Sequence, residues 1–167
     1  LDSVYDLLGN ADFDFFEYNL NDNDQMTDIE HRVKLYKNKF EDIVYINCAA
    51  VVHTEHFYEV EHTFETNVNG MKRFLEQAIR NEVDVYINCS TSEVYSMQSW
   101  NETGGVREDD YLLLASAEHS QRTSYAVGKL LTEFFMKDAV AKGRIRGCSI
   151  RFANVYSNYE LYPKHII

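Results

Sequence analysis

No run of 18 apolar residues occurs in the 167-residue chain, and no basic-then-apolar leader pattern opens it. The sequence therefore offers no argument for secretion or for a membrane span, and a cytoplasmic protein is the expectation. Positive charge is scarce: 16 Lys and Arg against 27 Asp and Glu leave a formal charge of −11. Such a field repels phosphate backbones and anionic bilayers, so neither nucleic acid nor membrane is an expected partner. Cysteine is sparse as well. Cys48, Cys89 and Cys148 fall singly in apolar stretches, without a Cys-x-x-Cys pair or a metal-ligand spacing. Buried free thiols in a reducing compartment, and no metal, are the expectation. Glycine is also scant, with seven residues and one adjacent pair, Gly104-Gly105, in a polar stretch that no strand precedes.

Apolar residues, by contrast, make up 45% of the chain and aromatics 14%, ample for one core and unlike a disordered composition. One folded unit over residues 1–167 is expected, since two ordinary domains need about 100 to 200 residues each. Leu1–Leu8 reads as the tail of a helix stopped at Gly9-Asn10, so the chain is expected to begin inside an element. Phe13–Leu20 reads as a strand, and Met26–Lys39 as a helix with Ile29, Val33 and Tyr36 on one face. Ile43–Cys48 is a short apolar strand opening into Ala49-Ala50. A long helix follows, with Phe64, Val68, Met71, Leu75 and Ala78 on one face, ending near Asn81. Val85–Cys89 then repeats the earlier strand as Val-Tyr-Ile-Asn-Cys. Ser90–Arg122 is polar and aperiodic, the kind of long connection that commonly forms a lid or binding loop. Val127, Leu130, Leu131, Phe134 and Phe135 mark a further helix face running to about Ala141, and Arg146–Phe152 is the last strand.

Strands alternating with helices call for an α/β fold, a parallel sheet of four strands with helices on both sides. Ligands of such sheets lie beyond the carboxyl ends of the strands, which directs attention to Ala49-Ala50, Ser90–Glu93 and Ala153-Asn154. Tyr125 and Lys129, four apart, share one helix face. A phenol ionises near pH 10, and a neighbouring ammonium favours the phenolate, so the pair can work as a base. A packed tyrosine and a lysine paired with Glu133 is the structural alternative. Thr91, at the end of a strand, places a hydroxyl where it can reach the same substrate oxygen.

Together these motifs resemble the extended short-chain dehydrogenase/reductases, in particular the nucleotide-sugar epimerase/dehydratase group, from about Phe13 onward. Ala49-Ala50 resembles the turn after the family's fourth strand, and Asn67-Val68-Asn69-Gly70 its helix motif. Thr91-Ser92-Glu93-Val94-Tyr95 resembles the active-site strand end, Tyr125-Ala126-Val127-Gly128-Lys129 the catalytic helix, and Arg151-Phe152-Ala153-Asn154-Val155-Tyr156 the sixth-strand exit. The resemblance implies a Rossmann-like doubly wound sheet, NAD or NADP as cofactor, a nucleotide-sugar substrate and a homodimer built through helices 64–81 and 124–141. It implies that Tyr125 takes a proton from a sugar hydroxyl while the nicotinamide takes hydride from the same carbon. Thr91 would hold that oxygen and Lys129 the nicotinamide ribose, with Ala49, Ala50, Asn67 and Ser90 along the cofactor and Ser92 and Asn154 toward the sugar nucleotide. Glu93 would be an acid or base after oxidation, or a structural carboxylate; Asn67 a packing amide otherwise, Asn154 a turn residue otherwise, and His53 a packing or dehydratase histidine.

The family's GxxGxxG loop, which lets backbone approach a pyrophosphate, is not among these residues, nor is the acidic residue that ends its second strand. Ser157-Asn158 stands where the family usually has Gly-Pro. The resemblance therefore implies the central part of a protein of about twice this length, with an incomplete sheet and most of the substrate lobe outside it. A degenerate, non-catalytic member that keeps the fold is the competing expectation.

Overall fold

The computed structural model describes residues 13–52, 59–95, 105–110 and 123–155. The helix tail expected at 1–8, His53, most of the polar stretch up to Arg122 and residues 156–167 lie outside them. Two compact units are distinguished: residues 19–153, and a unit drawn from the two ends of the chain, of which 13–18 and 154–155 are described. All regular elements among the described residues belong to the first.

Helix α1 spans Asn23–Lys37, three residues earlier than the apolar periodicity begins. Asp22 caps it, its carboxylate accepting from the backbone N–H groups of Asp24 (2.9 Å) and Gln25 (3.2 Å). The Gln25 side chain reaches back, donating to Asp22 at 2.8 Å and accepting the Asn19 N–H at 2.7 Å. These reciprocal bonds satisfy helix-end donors as a capping box does. Residues 13–19 form no strand, a correction to the sequence reading. An extended segment becomes a strand only through a ladder partner. The end of this segment is instead committed to local turns, with Asn19 accepting the N–H groups of Asn21 and Asp22.

Strand β1 (Val44–Asn47), β2 (Val85–Thr91) and β3 (Arg146–Phe152) form one parallel sheet in the order β1-β2-β3, three strands where four were expected. The two Val-Tyr-Ile-Asn copies pair letter for letter, Val44 with Val85 through Asn47 with Asn88. Between β1 and β2 a continuous helical rod contains α2 (Val60–Phe64), a π-helical segment (Glu65–Gly70) and α3 (Met71–Arg80). A 3-10 turn, Ser92–Tyr95, follows β2, and α4 spans Thr123–Ala141.

Successive strands laid side by side with right-handed crossovers place their helices on one face. Accordingly α3 and α4 both cover the face bearing Tyr45, Tyr86 and Gly147, rather than opposite faces. Tyr45 stacks on Phe74 at 4.7 Å between centroids, Phe74 meets Tyr86 edge-on at 5.9 Å, and Met71, Leu75, Met136 and Ala139 complete the core. Gly147 is required there, because an added Cβ would overlap the Tyr86 carbonyl oxygen and the Met136 methyl. Helices α3 and α4 are each followed by a left-handed residue, Glu82 (φ 52°) and Gly143 (φ 66°), and the N–H groups there bond back to the last turn.

Two further expectations change. The apolar stripe of α4 does not face the sheet: Ala126, Gly128, Lys129, Thr132, Glu133, Met136 and Ala139 are buried, while Leu131 and Phe134 are exposed. The sheet surface beneath α4 is polar, carrying Asn88, Ser90, Ser149 and Arg151, so small and polar side chains are what fit it. The cysteines are not buried either. Cys48 and Cys148 are exposed and Cys89 is half-buried, because strand alternation turns all three away from α3 and α4.

Candidate active site

At the carboxyl ends of β1 and β2 the chain leaves the sheet side by side, bringing the turn at 49–52 next to the strand end at 90–93. Asn67, in the π segment, is buried against that turn. Its carboxamide oxygen accepts the Val51 N–H at 2.6 Å, and its amide donates to the Val51 carbonyl at 3.2 Å. A π-turn widens the helix locally and often marks a functional position; here it carries the side chain that fixes the turn. Asn47 adds a further bond, accepting the Ala49 N–H at 3.2 Å. Ala49 is exposed and Ala50 half-buried.

Thr91 is buried at the last position of β2, where its hydroxyl accepts the Glu93 N–H at 3.2 Å and starts the 3-10 turn. The Tyr125 phenol, on the first turn of α4, shares a side-chain hydrogen bond with Thr91. Burial holds the Tyr125 pKa above its ordinary value, the nearby Glu93 carboxylate adds to the rise, and the Thr91 hydrogen bond opposes both. The lowering expected from Lys129 is not what shapes Tyr125 here. The Lys129 ammonium is 5.9 Å from the Tyr125 ring centroid and donates to the Cys89 carbonyl at 2.8 Å. Its own pKa is pulled down by burial, against the opposing influence of the Cys89 and Cys48 thiols. Thr91, Glu93, Tyr125 and Lys129 thus converge at one strand end, with Ser92 half-buried in the turn beside them. Asn154 belongs to the other unit and is exposed within it.

Ser90 is engaged differently. Its hydroxyl donates to Glu133 at 2.6 Å, and Glu133 in turn receives Arg151 through Nε (2.9 Å) and Nη2 (2.8 Å). Glu133 therefore does not pair with Lys129; it anchors the sheet. The Arg151 guanidinium lies 4.7 Å from the Tyr95 ring centroid, so the network also holds the turn that carries Glu93. Burial of Glu133 one turn beyond Lys129 was not anticipated, although the Tyr-x-x-x-Lys-x-x-x-Glu spacing puts all three on one stripe. Beside this network Asn88 donates to Thr132 (2.9 Å) and Ser149 (3.1 Å).

Among the described residues no group of three or more His, Cys, Asp or Glu suits a metal, and no helix is long and apolar enough to cross a membrane. A cleft of about 540 Å³ between α1 and α3 contains none of the site residues.

Comparison with known proteins supplies the context. The model of the NAD dependent epimerase/dehydratase family matches residues 9–167. No curated protein sequence matches the chain. Among solved structures, a UDP-Glc/GlcNAc 4-epimerase from Campylobacter jejuni is similar at TM-score 0.69 and 23% identity, covering 98% of this chain and 47% of that one. A UDP-glucuronic acid 4-epimerase from Bacillus cereus, in complex with NAD, gives TM-score 0.70 and 21% identity, covering 93% and 43%. A dTDP-glucose 4,6-dehydratase double mutant from Streptomyces venezuelae, with NAD bound, gives TM-score 0.69 and 17% identity, covering 97% and 46%. At these identities the likeness shows a Rossmann-like α/β fold, and this chain spans somewhat less than half the length of each.

Proposed function

Because the chain belongs to the NAD dependent epimerase/dehydratase family, we propose that it supplies the central catalytic segment of an enzyme converting a nucleotide-linked sugar through a 4-keto intermediate. The convergence of Thr91, Tyr125 and Lys129 at the end of β2 carries this reading.

The residues present fit the nicotinamide and ribose end of NAD. Lys129 is a buried three-donor ammonium with one bond to the Cys89 carbonyl, the kind of group that ribose hydroxyls complete. The small Ala49-Ala50 turn, fixed by Asn67, lets a flat ring approach the backbone. Held by Lys129 and the Ala49-Ala50 turn, NAD would supply the hydride acceptor for the sugar carbon and a cationic charge that favours the phenolate. Tyr125 then takes the proton of the sugar hydroxyl. Thr91, whose hydrogen bond to Tyr125 favours the phenolate, lies where its hydroxyl can turn to hold the same oxygen. Glu93 sits where it sets the proton affinity of Tyr125 and, in a dehydrating enzyme, where a carboxylate can move the proton that leaves with water. Asn154 is assigned to the sugar nucleotide by motif. The exposed Leu131 and Phe134 of α4 are the surface through which a second copy would pack as a homodimer.

Turnover of UDP- and dTDP-hexoses, followed by product analysis together with NAD titration, tests the proposal. Activity abolished in Tyr125→Phe with NAD affinity kept within a few-fold is the expected result. Unchanged turnover in Tyr125→Phe would refute it. Binding of NAD by neither the 167 residues nor a longer protein containing them would favour the non-catalytic alternative, which the lack of a GxxGxxG loop among these residues supports, whereas binding by the longer protein alone keeps the proposal.

A further inference from the structure

The two copies of Val-Tyr-Ile-Asn-Cys pair in register, so Cys48 stands beside Cys89 one step beyond the Asn47–Asn88 pair. Their Sγ atoms are 3.3 Å apart. Adjacent strands lie about 4.8 Å apart, inside the roughly 4.4–6.8 Å Cα separation that a disulfide accepts. Closing the bond requires the sulfurs to approach by a little over an ångström, to about 2.05 Å. Cys148 is excluded from this pairing, since it registers with Ile87, two positions from Cys89. The two thiols also differ from each other: Cys48 is exposed and Cys89 half-buried.

We propose that Cys48 and Cys89 form a redox-closing thiol pair, oxidised by a low-molecular-weight disulfide of the glutathione type. Cys48 reacts first because it is exposed. Its thiolate attacks one sulfur of the oxidant, whose S–S bond breaks and releases one thiol while a mixed disulfide forms on Cys48. Cys89 then gives its proton to solvent, attacks the Cys48 sulfur and expels the second thiol. The two protein thiols have lost two hydrogens, and the oxidant has become two thiols.

The order follows from the environment of Cys89, whose pKa is pushed up to about 11 by burial and by the hydrogen bond and charge of Cys48, with Lys129 opposing. Capping Cys48 as a mixed disulfide removes its charge, so the first step eases the second. The bridge then ties the start of the Ala49-Ala50 turn to the residue whose carbonyl holds Lys129.

Incubation of the native protein with oxidised glutathione, followed by intact mass and peptide mapping, tests this. The expected product has lost two hydrogens, carries a Cys48–Cys89 cross-link and keeps Cys148 alkylatable; Cys148→Ser behaves identically. Cys89→Ser stops at a glutathione adduct on Cys48. In Cys48→Ser, Cys89 reacts about tenfold more slowly than Cys48 does in Cys89→Ser, as burial of a thiolate predicts. Stable adducts on Cys48 in the unsubstituted protein, or oxidation of Cys148 while Cys48 and Cys89 both stay free, would overturn the proposal.

Discussion

Replacing Glu133 by Gln removes one charge and changes almost no volume, so its cost isolates the network beneath α4. The Glu133 side chain is 5% exposed and the Arg151 side chain 14%, and three strong contacts converge on the carboxylate: Ser90 at 2.6 Å and Arg151 at 2.8 and 2.9 Å. Removing one partner of a buried ion pair costs about 3–5 kcal/mol, mostly from the charge left behind. Two features reduce that figure here. Glutamine retains one acceptor oxygen, and Arg151 keeps its place on Tyr95 and its 3.4 Å contact with the Glu108 carbonyl. A loss of about 2–3 kcal/mol is therefore expected, equivalent to roughly 5–10 °C in Tm for a chain of this size. Replacing both partners, Glu133→Leu with Arg151→Met, removes the stranded charge. That variant is expected within about 1.5 kcal/mol of the unsubstituted protein, the residue being the Ser90 hydroxyl left without its acceptor. Urea titration at pH 7 measures the unsubstituted protein, Glu133→Gln, the double and its two component singles, Glu133→Leu and Arg151→Met. A single substitution costing under about 0.5 kcal/mol, or a double as unstable as the sum of its singles, would refute the reasoning.

The remaining expectations are more local. Glu93→Gln removes the negative charge that helps to raise Tyr125, so the ascending limb of the pH–rate profile is expected at lower pH; an unmoved limb in an active variant separates Glu93 from the Tyr125 proton. Gly147→Ala is expected to cost more than about 3 kcal/mol by denaturant titration, since the new methyl would overlap backbone. Tyr45 is held at about 12 by burial, and Tyr86 and Tyr125 are raised as well. These folded-state values exceed the unfolded value of about 10, so their stabilisation is complete below pH 10 and is lost as pH rises through the folded values. Lys129, depressed, acts oppositely: the stability it contributes is present above its unfolded value and lost as pH falls through its folded one. Net stability is expected to fall above pH 10, with Tyr45→Phe removing of order 2 kcal/mol of that fall between pH 9 and 12, measured by urea midpoints. Glu82→Gly relieves a left-handed backbone at φ 52° and is expected to gain about 0.5–1 kcal/mol in the same assay.

Much of this was legible in the letters. Arg146–Phe152 reads directly as the strand it forms, and the shared pentapeptide marks β1 and β2 as strands of one layer, while their letter-for-letter register comes from the structure. The start of α1 was within reach too, since Asp22 and Gln25 stand at capping-box spacing ahead of the first apolar residue. Residues 13–20 misled because an aromatic-rich run, Phe13, Phe15, Phe16 and Tyr18, records a willingness to extend, whereas a strand requires a partner. The inverted face of α4 misled for a related reason. Apolar periodicity assumes an apolar surface beneath the helix, and β2 and β3 present Asn88, Ser90, Ser149 and Arg151 there instead. The Tyr125 and Lys129 pair proposed as catalytic was visible as a spacing, but the hold of Glu133 on Ser90 and Arg151 joins three elements and has no local signature.

The shared pentapeptide has a consequence for how the chain folds. Each copy is uncharged, β-prone and free of proline, and it is built to lie against an identical copy, the property that lets short segments stack in ordered aggregates. During folding, β1 can recognise β2 of its own chain or of a neighbour equally well by side-chain complementarity. Only tethering separates the two outcomes, and the 41-residue spacing between the copies gives the internal partner an effective concentration on the order of millimolar. Dilute refolding thus favours the native sheet, while crowding unfolded chains hands the same code to the wrong molecule.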